Sequence, residues 1–226
     1  MCYNLSGSFP KMNISPELEF VKMKFIDRNG KILLVFSRNN ILEFYQEDSL
    51  LFTLYTPKNS GYIIDFKFVL LSEKNLYVLI ASELGRLSLW DLNPVKEISH
   101  IFYPDTPTAL DYSDTGIGFL GTNTVILHTF TIKSLTLKHD KNLKISNPGV
   151  SNIVIRPDNK LVAISSIDNL ILLVSLENLK PVAALKGDYG SIRGITFIEN
   201  KKENKRIYLM ASAFLDGKII LWDSGY

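Results

Sequence analysis

Five stretches of this 226-residue chain share one design: an apolar, β-rich run, a Gly or Asn, then a second apolar run. The pivots are Asn40 in KILLVFSRNNILEFYQ, Gly85 in LGRLSLWDL, Asn123 in GIGFLGTNTVILHTF, Asn169 in LVAISSIDNLILLVSLENLKPVAAL and Gly217 in SAFLDGKIILWD. They follow one another at intervals of 45, 38, 46 and 48 residues. Gly and Asn tolerate the positive φ that a tight hairpin between antiparallel strands requires. The flanking runs have the β-branched and aromatic content of strands, and no helical periodicity competes with them. A hairpin recurring every ~40–45 residues predicts an all-β propeller of four-stranded blades. The alternative is an unrelated β-sandwich whose turns fall at this spacing by chance.

Two Trp-Asp pairs reinforce the repeat. Trp90-Asp91 and Trp222-Asp223 lie 132 residues apart, three times 44. At the tryptophan position the five copies carry Tyr45, Trp90, His128, Val174 and Trp222, side chains expected to wedge between blades. His128 is therefore read as a packing residue rather than a ligand. Asp168 and Asp216 fall in turns, where a carboxylate accepts local backbone amides. Ser212, Asp216 and Trp222 are read as structural residues of the last copy of the repeat. The blades are read as about 17–58, 60–103, 106–145, 149–188 and 190–226. The last has three strands, near 191–198, 206–213 and 217–223, and residues 1–16 are the expected closing strand. The alternative is an incomplete or open propeller. The charged runs ENKKENKR, at 199–206, and KHDKNLK, at 138–144, are read as solvated loops.

Composition narrows the function. Lys and Arg number 25 against 23 acids, a balance that announces neither nucleic acid nor membrane. No apolar stretch approaches the ~18 residues of a membrane span. Cys2 is the single cysteine, so no internal disulfide forms, and an intracellular setting is expected. The opening residues lack a basic segment followed by an apolar run, so no secretory signal is expected. The three histidines sit outside any metal-binding spacing, and no nucleophile elbow or phosphate-cradling glycine loop is present. The expectation is a non-enzymatic chain without metal or cofactor.

The second half is more specific. It contains Asn147-Pro148-Gly149, then Ile155-Arg156-Pro157-Asp158, then Leu179-Lys180-Pro181 with Ala184-Leu185-Lys186, and finally Asp216-Gly217-Lys218-Ile219. Residues 107–223 resemble the ASTRA-associated protein 1 family of WD-repeat proteins, which is related to guanine nucleotide-binding protein beta-like protein 1. That family has longer chains that look like seven-bladed propellers, against the five blades read here. Its usual Gly-His pair is replaced by Gly187-Asp188 before the last blade. The resemblance implies a nuclear scaffold subunit of the ASTRA complex, linked to chromatin remodelling. It implies as partners the co-chaperone assembly that matures phosphatidylinositol-3-kinase-related kinases and a kinase-like giant subunit. A WD-repeat adaptor of another pathway, in G-protein-beta-like signalling or ribosome assembly, is the alternative. Which residues bind partners is not legible.

Overall fold

The computed structural model describes residues 22–28, 31–46, 49–71, 75–145, 149–187, 190–202 and 205–223. These residues form nineteen strands, one 3-10 turn at Lys58–Ser60 and no α-helix. The chain divides into two compact units, Met1–Ile63 and Ile64–Tyr226.

The first unit carries one antiparallel sheet of β1 (Lys22–Arg28), β2 (Lys31–Arg38), β3 (Ile41–Gln46) and β4 (Ser49–Tyr55), in that order. The second carries four more sheets. One is β5 (Ile63–Leu70), β6 (Leu76–Ser82), β7 (Arg86–Leu92) and β8 (Val95–Phe102). The next is β9 (Pro107–Tyr112), β10 (Ile117–Thr122), β11 (Ile126–Lys133) and β12 (Thr136–Lys144). Then come β13 (Val150–Ile155), β14 (Leu161–Ser166), β15 (Leu170–Ser175) and β16 (Pro181–Lys186). The last is β17 (Ile192–Lys202), β18 (Lys205–Phe214) and β19 (Ile219–Asp223). Every sheet is a meander in chain order, and within the second unit successive sheets stack as the blades of a propeller.

The cores lie between blades, and this explains the continuous apolar runs. On β10, Phe119 joins a cluster with Val150, Ile153 and Val162 of the following blade. Its neighbour Leu120 points the other way, into a cluster with Leu79, Leu87 and Leu89 of the preceding blade. Adjacent residues thus serve opposite interfaces, so the middle of a second strand reads as a continuous apolar run rather than alternating. A third cluster joins Ala163, Ile171 and Leu173 to Ile195, Phe197 and Met210. Each fully buried Leu or Phe contributes about 1.5–3 kcal/mol. Outer strands lack this pressure: β12 is exposed at most positions, and its KHDKNLK is a strand rather than the expected loop. ENKKENKR is likewise mostly strand, because β17 and β18 pair out to Lys202 and Lys205.

The turns follow one pattern with two corrections. Gly85, Asn169 and Gly217 have φ of 80°, 69° and 84°. A loop whose third residue is left-handed suits a hairpin with a bulge. In each, the left-handed residue's amide donates to the carbonyl three residues back: Ser82, Ser166 and Phe214. Asn40 does not occupy this position. The first hairpin has only two turn residues, and the positive φ, 51°, falls on Asn39. Asn40 instead donates from its side chain to the Thr56 carbonyl at 3.0 Å. Asn123 is also displaced, since the loop runs 123–125 and no residue in it has positive φ. There, Val125 stands where Gly85 stands: Ile145 donates to its carbonyl as Tyr103 does to that of Gly85. The expected closing strand, residues 1–16, lies outside the described residues.

Candidate functional site

The tryptophan position is defined by a bulge. Between third and fourth strands the register slips after Phe44, Leu89, Thr129 and Leu173. The residues that follow are Tyr45, Trp90, Phe130 and Val174. Opposite them on the second strands lie Leu34, Val78, Gly118 and Val162, and in the last blade Met210 lies opposite Trp222. Phe130, not His128, therefore fills the position in the third of these blades. A Cβ on Gly118 would fall inside the Phe130 ring, so the glycine makes room for it.

Two rungs away, the polar tips are satisfied. Trp90 Nε1 donates to Ser88 Oγ at 2.9 Å and Trp222 Nε1 to Ser212 Oγ at 2.8 Å. Tyr45 donates its hydroxyl to Glu43 at 3.3 Å, using the same two-residue offset as Trp90. His128 occupies the rung of Ser88, and with no indole to receive it turns elsewhere. Its Nδ1 lies 2.7 Å from Asn142 Oδ1 and its Nε2 3.3 Å from Asp105 Oδ2. Trp90 is 8% exposed, but Trp222 is only half-buried, because β19 has a sheet neighbour on one side alone among the described residues.

The turn carboxylates act locally. Asp216 accepts the Lys218 amide at 3.1 Å, and the Lys218 ammonium beside it holds its carboxyl below the usual carboxylate range. Asp168 accepts the Ser166 hydroxyl instead of an amide. Asp91 accepts the Asn93 amide at 2.8 Å. Asp223 ends β19, opposite Leu209.

A cavity of about 500 Å³ opens at the end of the blades where first and second strands turn. Lys67, Asp111, Asp114 and Arg156 supply its charge. Lys67 Nζ lies 2.5 Å from Asp111 Oδ1, and Asp111 Oδ2 accepts the Ile155 amide at 2.7 Å. One blade earlier, Asp65 accepts the Leu110 amide at 3.1 Å. These carboxylates stitch β5 to β9 and β9 to β13. Arg156, 1% exposed, is held by both oxygens of Asp158 at 2.8 and 2.9 Å and lies 5.2 Å from the Tyr208 ring centre. Lys67, Asp111 and Arg156 are engaged by the fold itself and present a fixed polar surface, while Asp114 is exposed beside them. Among the described residues no group of three His, Cys, Asp or Glu side chains is placed to hold a metal, and no helix is long and apolar enough to cross a membrane.

No family model matches the chain. A stretch of 150 residues, 64% of the chain, is 27% identical to guanine nucleotide-binding protein subunit beta-like protein 1 of Mus musculus. That match spans 43% of the relative's length. Among solved structures, the chain is similar to one described as BBS1N in complex with ARL6DN, soaked with lead. The TM-score is 0.71 at 12% identity, covering 90% of this chain and 66% of that one. The fold is a β-propeller. In this propeller the motifs that narrowed the sequence reading are largely structural. Arg156, Pro157 and Asp158 form the turn between β13 and β14, where Asn159 takes φ of 56° and donates to the Arg156 carbonyl. Gly149 has φ of 76° and sits against Ile167, leaving no room for a side chain. Asn147 and Pro148 lie outside the described residues, as does Asp188. The propeller's interblade aspartates, Asp65 and Asp111, were missed in the sequence, where a single Asp in an apolar strand was the only signal.

Proposed function

We propose that this propeller is a non-catalytic scaffold, a nuclear subunit of an ASTRA-type complex linked to chromatin remodelling and kinase maturation. The observation that carries the reading is the 27% match to the mouse beta-like protein, together with the Arg156-Pro157-Asp158 and Leu179-Lys180-Pro181 motifs of the resembling family. The physics suits it: stitched blades hold connecting loops in fixed positions, and loops on a rigid frame recognise proteins. Its partners in this reading are the co-chaperone assembly for phosphatidylinositol-3-kinase-related kinases and a kinase-like giant subunit, with no direct nucleic-acid or membrane contact. The mouse relative's name favours a second reading, an adaptor in G-protein-beta-like signalling. Affinity purification of the tagged chain from its own cells, followed by mass spectrometry, separates the two. Recovery of the co-chaperone and giant kinase-like proteins, with nuclear fluorescence of the tagged chain, supports the first. Recovery of signalling proteins without them overturns it.

A further inference from the structure

The three histidines of the chain make two sets of ring contacts on two adjacent blades. His100 on β8 meets the edge of Phe102 at 5.4 Å between ring centres. Just beyond β8, Tyr103 lies 4.3 Å from the His128 ring and 5.6 Å from the His139 ring, and these two histidines are 5.9 Å apart. Between Phe102, Tyr103 and the outer strands β11 and β12 opens a crevice of about 460 Å³. Its walls are mainly apolar and aromatic, and no Lys or Arg lines it.

One carboxylate enters this crevice. Asp105 Oδ2 faces His128 Nε2 at 3.3 Å, while Oδ1 has no hydrogen-bond partner among the described residues. The Asp105 side chain is 22% exposed, so the second oxygen is within reach of a visitor. His128 is itself held from the far side by Asn142, which fixes the carboxylate's direction. Phe102 is 59% exposed, with the Arg86 guanidinium 5.1 Å from its ring centre.

We propose that this crevice docks one cationic side chain, lysine or arginine, presented by a partner protein. A half-engaged carboxylate attracts a cation, and aromatic faces stabilise it through their quadrupoles. An anion would meet an uncompensated Asp105. A purely apolar side chain would cover its free oxygen and leave it desolvated without a partner, which costs more than the contact returns. The volume lies at the lower end of ligand pockets, enough for one long side chain. The inference stands independently of whether the partner belongs to an ASTRA-type assembly.

The test uses the full chain and four probes: the N-acetyl amides of arginine, lysine, norleucine and glutamate. Histidine ring C–H resonances are followed by NMR at pH 7.5. Arginine or lysine amide should shift His128 and His139 saturably, and norleucine and glutamate amides should not. Asp105→Asn should weaken cation binding at least tenfold. His139→Ala, which removes an exposed wall and leaves the cores intact, should weaken it several-fold without moving the thermal midpoint. Absence of saturable shifts with both cations, equal shifts with norleucine, or unchanged affinity in His139→Ala overturns the proposal, even should Asp105→Asn fail to fold.

Discussion

Trp90 donates its indole N–H to a hydroxyl two residues back on its own strand, Ser88 Oγ, at 2.9 Å. Trp222 uses Ser212, on the neighbouring strand, at 2.8 Å. Both hydroxyls lie on the same rung of their sheets, since Ser88 pairs with Ile80 and Ser212 with Ile220. The rung is kept while the strand that supplies the oxygen changes. Ser88→Ala should therefore cost about 1–3 kcal/mol by stranding a buried indole N–H, and denaturant unfolding would reveal it. A variant as stable as the parent refutes the link.

The two tryptophans differ in burial, and their truncations should differ accordingly. Trp90→Ala should lose about 3–5 kcal/mol, the usual cost for a buried aromatic. Trp222→Ala should lose roughly half of that, in proportion to its partial burial. Paired thermal melts decide the order, and an equal or larger loss for Trp222→Ala contradicts the exposed setting of β19.

Gly118 and Phe130 form a size-matched pair across β10 and β11. Gly118→Ala should destabilise by about 1–3 kcal/mol through overpacking. Combining it with Phe130→Leu should cost less than the two changes summed, because the smaller side chain leaves space for the methyl. Strict additivity in that double-mutant cycle rules the pairing out.

Tyr103 carries a buried hydroxyl without a hydrogen-bond partner among the described residues, and burial pushes its pKa up from the usual 10.0. The unfolded chain ionises first, so this residue's contribution is complete below about pH 10 and declines as pH rises above it. Tyr103→Phe should raise stability by up to about 1 kcal/mol at neutral pH. It should also flatten the alkaline loss, which urea titrations at pH 8 and pH 11 would measure. A large drop in midpoint at neutral pH would reveal a partner for that hydroxyl.

Asp216 offers the opposite sign. The Lys218 ammonium lowers its pKa from 3.8, so its small contribution is present above that value and fades as pH falls through the lowered one. A carboxyl NMR titration of the parent and of Lys218→Ala reads this directly. The Asp216 midpoint should rise in the variant.

Much of the fold was readable because the strongest signals were local. Gly85, Asn169 and Gly217 mark their turns by a backbone need that few residues meet, and the doubly buried second strands read as unbroken apolar runs. The errors share a cause in pairing geometry. The bulge after Thr129 moves the wedge position to Phe130, and nothing in HTF distinguishes His128 from it before the register is known. Asn40 adjoins the true left-handed residue, and Val125 replaced a Gly where three turn residues close without positive φ. Outer strands such as β12 lose alternation because solvent meets most of their residues, so they pass for loops. The crevice beside Asp105 was invisible for a further reason: its groups come from two blades and assemble only when the blades pack.

The grip of Asp65 on the Leu110 amide, and of Asp111 on the Ile155 amide, has an evolutionary consequence. A carboxylate that holds a main-chain N–H is indifferent to the side chain of the residue it holds. Any residue but proline would serve at 110 or 155 as far as that bond is concerned. This part of the attachment between blades is thus blind to the spelling of the neighbour, and leaves the packing of the interblade cores as the part that reads side chains.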